Sequence, residues 1–176
     1  WSRGLGDVYK RQVLGEENRG WYAAMTTLDF ERSQASFAAA NQRMLDDVIA
    51  YLKVNEGYGP TLDDPMIRHK MADLVVANRV CKMHSYRVGW MQQSGIVPNM
   101  ESSMGKAYAT ELTQKVARTL MEILGLYGQL GVQEQGAPMH GRVQYSYMAT
   151  ISNTIAAGTS EINRNVIATR GLGLPR

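Results

Sequence analysis

The sequence predicts an all-α fold, an antiparallel helical bundle of three long helices plus two shorter ones, and three observations predict it. Glycine and proline are absent from Trp21 to Glu56. Apolar residues recur at three- and four-residue spacings through most of the chain. No segment alternates with period two while concentrating β-branched residues. With 176 residues, 44% hydrophobic and 20% charged, the chain has the material for one domain with a proper core.

The first long helix is predicted across the Trp21–Glu56 interval, with Met25, Leu28, Met44, Leu45, Val48, Ile49 and Leu52 on its apolar face. Gly57-Tyr58-Gly59-Pro60 ends it. Asp64 before Pro65 is a start signal, because an N-cap carboxylate accepts an orphan amide and proline at the first helical position has no amide to waste. The second helix carries Ile67, Met71, Leu74 and Cys81 inward and runs to about Gln93, where Ser94-Gly95 and Pro98 break it. The third, near Ser103 to Leu124, repeats Leu112, Val116, Leu120 and Ile123 on one face. Two shorter helices, about Arg142 to Thr154 and Thr159 to Arg170, flank Gly158. Residues 1–12 show no periodicity and are set aside as an artefact or linker, so that the domain is read from 13 to 176.

Composition excludes several classes of function. The 19 basic and 16 acidic residues leave a net charge of +3, scattered rather than massed, so no basic block marks a nucleic-acid surface. A single cysteine excludes an intramolecular disulfide framework and a cysteine-built zinc site, and Cys81 lies in an apolar-periodic stretch where a buried, inert thiol is expected. His69, His84 and His140 have no companions at metal-ligand spacing, so no metal is expected. No stretch approaches the ~18 apolar residues of a membrane span, and the amino terminus lacks a signal-peptide core. The expectation is a cytoplasmic protein.

Three polar features remain. Asp29, Glu31 and Arg32 lie inside the first helix. Asp29 and Arg32 are spaced for a weak surface pair, whereas Glu31 has Thr27 and Ala35 as its four-residue neighbours and no cation there. Such a carboxylate is either an ordinary exposed one or a base held for proton abstraction under a covering segment, and spacing leaves both open. Ala156-Ala157-Gly158-Thr159-Ser160-Glu161 is either a tight interhelical turn capped by Thr159 or a place where small residues let a ligand approach the backbone. Gly125, Gly128 and Gly131 mark a helix end and turn.

Taken together, Val13-Leu14-Gly15-Glu16-Glu17-Asn18-Arg19-Gly20-Trp21, Leu28-Asp29-Phe30-Glu31-Arg32 and Gly158-Thr159-Ser160-Glu161-Ile162-Asn163-Arg164-Asn165-Val166-Ile167-Ala168 resemble the carboxy-terminal helical domain of the acyl-CoA dehydrogenases. The closing Arg170-Gly171-Leu172-Gly173-Leu174-Pro175-Arg176 is similar to the end of bacterial members. The resemblance implies an FAD enzyme that oxidises an acyl-CoA to its trans-2-enoyl form and passes electrons to an electron-transfer flavoprotein, with upstream helical and β domains absent from these residues. On that basis the fragment alone is expected to be inactive.

Relatives place the catalytic base in one of two positions. The commoner one, just before the glycine of the last turn, is Ala157 here and cannot serve. The other, on the first long helix immediately before an arginine as in isovaleryl-CoA dehydrogenase-like enzymes, is matched by Glu31. The same carry-over implies that Asp29, Phe30, Arg32, Ala157 and Gly158 bind substrate, and that Thr159, Glu161, Gly128 and Gly131 contact FAD.

The chain also departs from the family pattern. The glycine loop is reduced to Gly125-Leu126-Tyr127-Gly128-Gln129-Leu130-Gly131, and Asn55-Glu56-Gly57-Tyr58-Gly59-Pro60 stands where an Arg-x-x-Phe-Gly motif is common. The resemblance implies a homo- or hetero-tetramer, and the departures imply the hetero form, in which a non-identical sister subunit supplies the missing flavin ligands. A non-catalytic oligomerisation subunit is the rival reading, and an acyl-CoA oxidase a remoter one.

Overall fold

The computed structural model describes residues 13, 15–31, 34–54 and 59–175, without the side chains of 28–31. Six α-helices follow in order: α1 Gly20–Glu31, α2 Ala35–Val54, α3 Pro65–Gln93, α4 Asn99–Leu124, α5 Arg142–Ala149 and α6 Ser160–Val166. Short 3₁₀ turns fill 125–129, 138–141 and 150–154, and a π turn follows α6 at 167–171. No strand occurs among the described residues.

Local chemistry explains the long helices. The Asp64 carboxylate accepts the Met66 amide at 2.8 Å, and Pro65 opens α3. At its far end the chain turns through Gly95 at φ +73°. Pro98 precedes α4 and Gly125, at φ +58°, ends it, as expected where a helix needs a residue tolerant of left-handed backbone.

Helix α4 is the axis of the domain and packs against every other helix from α1 to α6. Leu45, Val48 and Leu52 of α2, Met71, Leu74 and Cys81 of α3, and Leu112, Val116 and Leu120 of α4 form one buried cluster. Each large aliphatic side chain so buried contributes roughly 1.5–3 kcal/mol by removal from water. Ile67 is half-buried at the margin of this core. Burial pushes the Cys81 thiol up to about 11, so it stays a thiol at neutral pH.

One expected element is corrected. The interval from Trp21 to Glu56 is not one helix: α1 ends at Glu31, and Gln34 takes φ +59° before α2 begins. A residue in the left-handed region cannot continue a right-handed helix. The Phe37 and Ala38 amides donate to the Gln34 carbonyl, so the new helix starts from the break. Glu31 therefore ends a helix instead of lying inside one. The turn expected at Gly57-Tyr58 lies outside the described residues. Among the described residues no helix is long and apolar enough to cross a membrane.

Candidate functional site

The turn between the last 3₁₀ segment and α6 is held from inside by α4. Lys106, only 2% exposed, sends its Nζ to the Gly158 carbonyl at 2.7 Å and to the Asn153 carbonyl at 2.9 Å. Asn163, equally buried, donates through Nδ2 to the Gly158 and Thr159 carbonyls at 2.9 and 2.8 Å. Two side chains thus converge on Gly158 O and pull it inward. Because the peptide is trans and planar, the Thr159 amide lies on the opposite edge, away from Lys106. The turn needs two successive left-handed residues, Ala157 at φ +55° and Gly158 at φ +96°. Glycine accepts this freely, but alanine does so at a cost.

Thr159 caps α6 by accepting the Ile162 amide at 3.2 Å. The Glu161 carboxyl is exposed and held below its usual range, first by its own backbone amide, then by the Thr159 hydroxyl and by nearby Arg164. Arg164 in turn pairs with Glu111 of α4 at 2.8 Å. Farther along the same helix Gln114 binds the Thr150 carbonyl at 3.2 Å and the Thr154 hydroxyl at 2.9 Å. Helix α4 therefore clasps the whole segment from 150 to 164.

Gln34, the first described residue after α1, lies beside the residue of α4 next to Lys106. A side chain at Gly105 would come within 3.9 Å of Gln34 Cγ and 4.0 Å of His84 Cβ, so the bare glycine is where Gln34 packs. The Gln34 carboxamide oxygen is buried there without a hydrogen-bond partner among the described residues. Adjacent residues of α4, Gly105 and Lys106, thus stand beside Gln34 and the Ala157–Gly158 turn respectively. The Asp29, Phe30 and Glu31 side chains and all of Arg32 lie outside the described residues.

The glycine segment is built differently. A methyl at Gly128 would meet Leu124 Cβ at 3.0 Å and the Met121 carbonyl at 3.2 Å, so this buried glycine serves packing against the end of α4. Gly131 has open space where its side chain would be, while a methyl at Gly141 would fall 2.4 Å from the Gly131 carbonyl carbon. The flavin expected from the resemblance can be tested against these features. Glu161, an exposed acceptor, fits the hydroxyl-bearing side of a nucleotide and repels its phosphates. Gly131 fits close approach by a ligand. Gly128 does not, because its missing side chain is already replaced by protein.

Lys106, Asn163, Gly105 and Gln34 were not singled out by sequence reasoning. Their signal was the small-residue run of α4, where Ser102, Ser103, Gly105, Ala107, Ala109 and Thr110 are all buried. A helix so stripped of bulk admits neighbours on several sides, and a lysine within it cannot lie on a simple solvated face.

The fold and site define a helical domain in which a buried lysine of the central helix braces the turn before α6. A family model for the acyl-CoA dehydrogenase C-terminal domain matches residues 18–172, and the chain belongs to that family. Acyl-CoA dehydrogenase FadE26 of Mycobacterium tuberculosis is 30% identical over 169 residues, covering 93% of this chain and 42% of the relative. Among solved structures, the Tcur3481-Tcur3483 steroid ACAD superposes with a TM-score of 0.85 at 29% identity, covering 92% of this chain and 41% of that one. The ChsE4-ChsE5 complex from Mycobacterium tuberculosis gives 0.73 at 30% identity, over 79% of this chain and 36% of that one. The chain therefore spans about two fifths of the length of the relatives it matches.

Proposed function

We propose that these residues are the carboxy-terminal part of an FAD-dependent acyl-CoA dehydrogenase that converts an acyl-CoA to a trans-2-enoyl-CoA, with Glu31 as the base. The observation that carries this reading is that Gln34, three residues after Glu31, and the Ala157–Gly158 turn lie beside adjacent residues of α4, in a chain of this family. The reaction needs a carboxylate at the substrate's α carbon. It also needs a backbone surface that holds the thioester still while the proton leaves. Ala157 has no titratable group, so the turn supplies the surface and Glu31 the carboxylate. FAD, when bound, supplies the acceptor for the β hydride.

Bulk water must be kept from a carboxylate acting as a base on a carbon acid. Trp21 and Tyr22 of α1 are 71% and 62% exposed, and Ile151, Ile155 and Ile162 near the turn are all more than half exposed. This supports the view that further protein, corresponding to the remaining length of the relatives, covers both segments. The same reading assigns Thr159, Glu161 and Gly131 to contact with FAD, from the family resemblance. Two of the similar structures bear paired names, the Tcur3481-Tcur3483 steroid ACAD and the ChsE4-ChsE5 complex. That supports a heteromeric assembly and a bulky, steroid-type acyl group for this chain too, with electron-transfer flavoprotein as the electron acceptor.

The test is Glu31→Gln in the complete flavoprotein. Turnover should fall by at least a thousandfold, and α-proton exchange of a saturated acyl-CoA in deuterium oxide should cease, with flavin content unchanged. Unaltered turnover and exchange would remove Glu31 as base and favour the non-catalytic reading. Assembly is tested separately: a homotetramer with one flavin per subunit and full activity would refute the sister-subunit proposal.

A further inference from the structure

We propose that Lys106 is a positioning residue for the acyl thioester, fixing through its ammonium the backbone turn against which the substrate lies. The inference rests on reading Ala157–Gly158 as the thioester-facing turn.

A lysine amine at 2% exposure is uncommon, because burying an ammonium costs several kcal/mol unless strong partners replace its water. Joining a helix to a neighbouring segment does not require that expense. The same helix does it with a neutral amide two turns on, where Gln114 binds the Thr150 carbonyl and the Thr154 hydroxyl. The Lys106 ammonium ties the Asn153 carbonyl of that segment and the Gly158 carbonyl of the turn to one point on α4. Charge-assisted hydrogen bonds are roughly twice as strong as neutral ones, so the Gly158 carbonyl, at 2.7 Å, is held harder than the Gln114 partners.

The turn has a reason to need that hold. Ala157 sits in the left-handed region at a cost of ~1–3 kcal/mol, and without an inward pull on Gly158 O it could relax to an ordinary backbone and rotate the whole turn. Asn163 supplies a second grip on the same oxygen, but it lies on α6 and moves with the turn. Lys106 is the grip anchored in the core helix. Its charge also polarises the Gly158–Thr159 peptide, strengthening the amide edge that faces away from the bundle.

The experiment uses the complete flavoprotein and acetoacetyl-CoA, a probe whose β carbon carries no hydrogen to lose, titrated by the change in flavin absorbance. Lys106→Met should raise Kd by at least tenfold with flavin content and oligomeric state unchanged. Lys106→Gln, which keeps a shorter neutral donor, should give an intermediate loss. A lowered Tm with the parent Kd retained in the folded, flavin-loaded protein would overturn the inference, since that is what a purely structural lysine would give. If Lys106→Met does not fold, Lys106→Gln decides alone: a Kd raised threefold or more supports the inference, and a parent Kd overturns it. Failure of the parent protein to bind acetoacetyl-CoA would remove the functional reading and the inference with it, an outcome distinct from equal binding by parent and variant.

Discussion

Two glycine-containing segments were expected to meet the flavin or its substrate, and they are built on opposite plans. In the segment 125–131, Gly128 is glycine because Leu124 and the Met121 carbonyl occupy the space of a side chain. In the turn 157–159, a buried lysine and a buried asparagine grip the Gly158 carbonyl from within. One glycine therefore marks side-chain packing, and the other a backbone carbonyl held by polar side chains. Function is better sought where polar groups are spent to hold an exposed backbone than where glycines are most numerous.

This contrast can be broken by substitution. The largest effect is expected for Gly141→Ala, which would place a methyl 2.4 Å from the Gly131 backbone at a position with φ +72°. Overpacking and left-handed strain together predict a loss of roughly 3–5 kcal/mol, read by denaturant unfolding. Gly128→Ala should cost less, about 1–2 kcal/mol, because Leu124 can yield a few tenths of an ångström and the Met121 carbonyl less. In both variants the Kd for acetoacetyl-CoA of the folded protein should stay near that of the parent; a tenfold change at Gly128 with stability intact would make that glycine a ligand contact after all. The smallest effect is expected for Ala157→Gly. Relief of strain at φ +55° offsets the added entropy of the unfolded chain, leaving Tm within a few degrees of the parent. A loss above about 2 kcal/mol would show instead that the Ala157 methyl is packed.

Much of the scaffold was legible in the sequence because local and tertiary preferences agree there. Asp64-Pro65 starts α3, and the inward set Met71, Leu74 and Cys81 is buried as its spacing requires. Helix α4 begins at Asn99, four positions ahead of the expected Ser103, because the Pro98 carbonyl already accepts the Ser102 amide as the first helical bond. The break before α2 was not legible. Gln34 is an ordinary helix former, and its left-handed backbone goes with a seat on Gly105, a contact across some seventy residues.

The site was legible only in part. Thr159 as a cap follows from residue type and place. Lys106 did not, because a lysine in a helix reads as a solvated charge until its surroundings are known. Its neighbours are small enough to let the 150–164 segment close over it, and only the folded chain brings the Asn153 and Gly158 carbonyls to its amine. Glu31 was singled out by resemblance and by the alanine at 157, not by spacing.

The central claim is that the end of α1 and the turn before α6 face one acyl-CoA from adjacent seats on α4. The most direct measurement is a crystal structure of the complete flavoprotein with an enoyl-CoA bound. The account predicts the Glu31 carboxylate about 3–3.5 Å from the α carbon, with the Ala157–Gly158 backbone against the thioester. An acyl group bound elsewhere, with Glu31 turned to solvent, would contradict it.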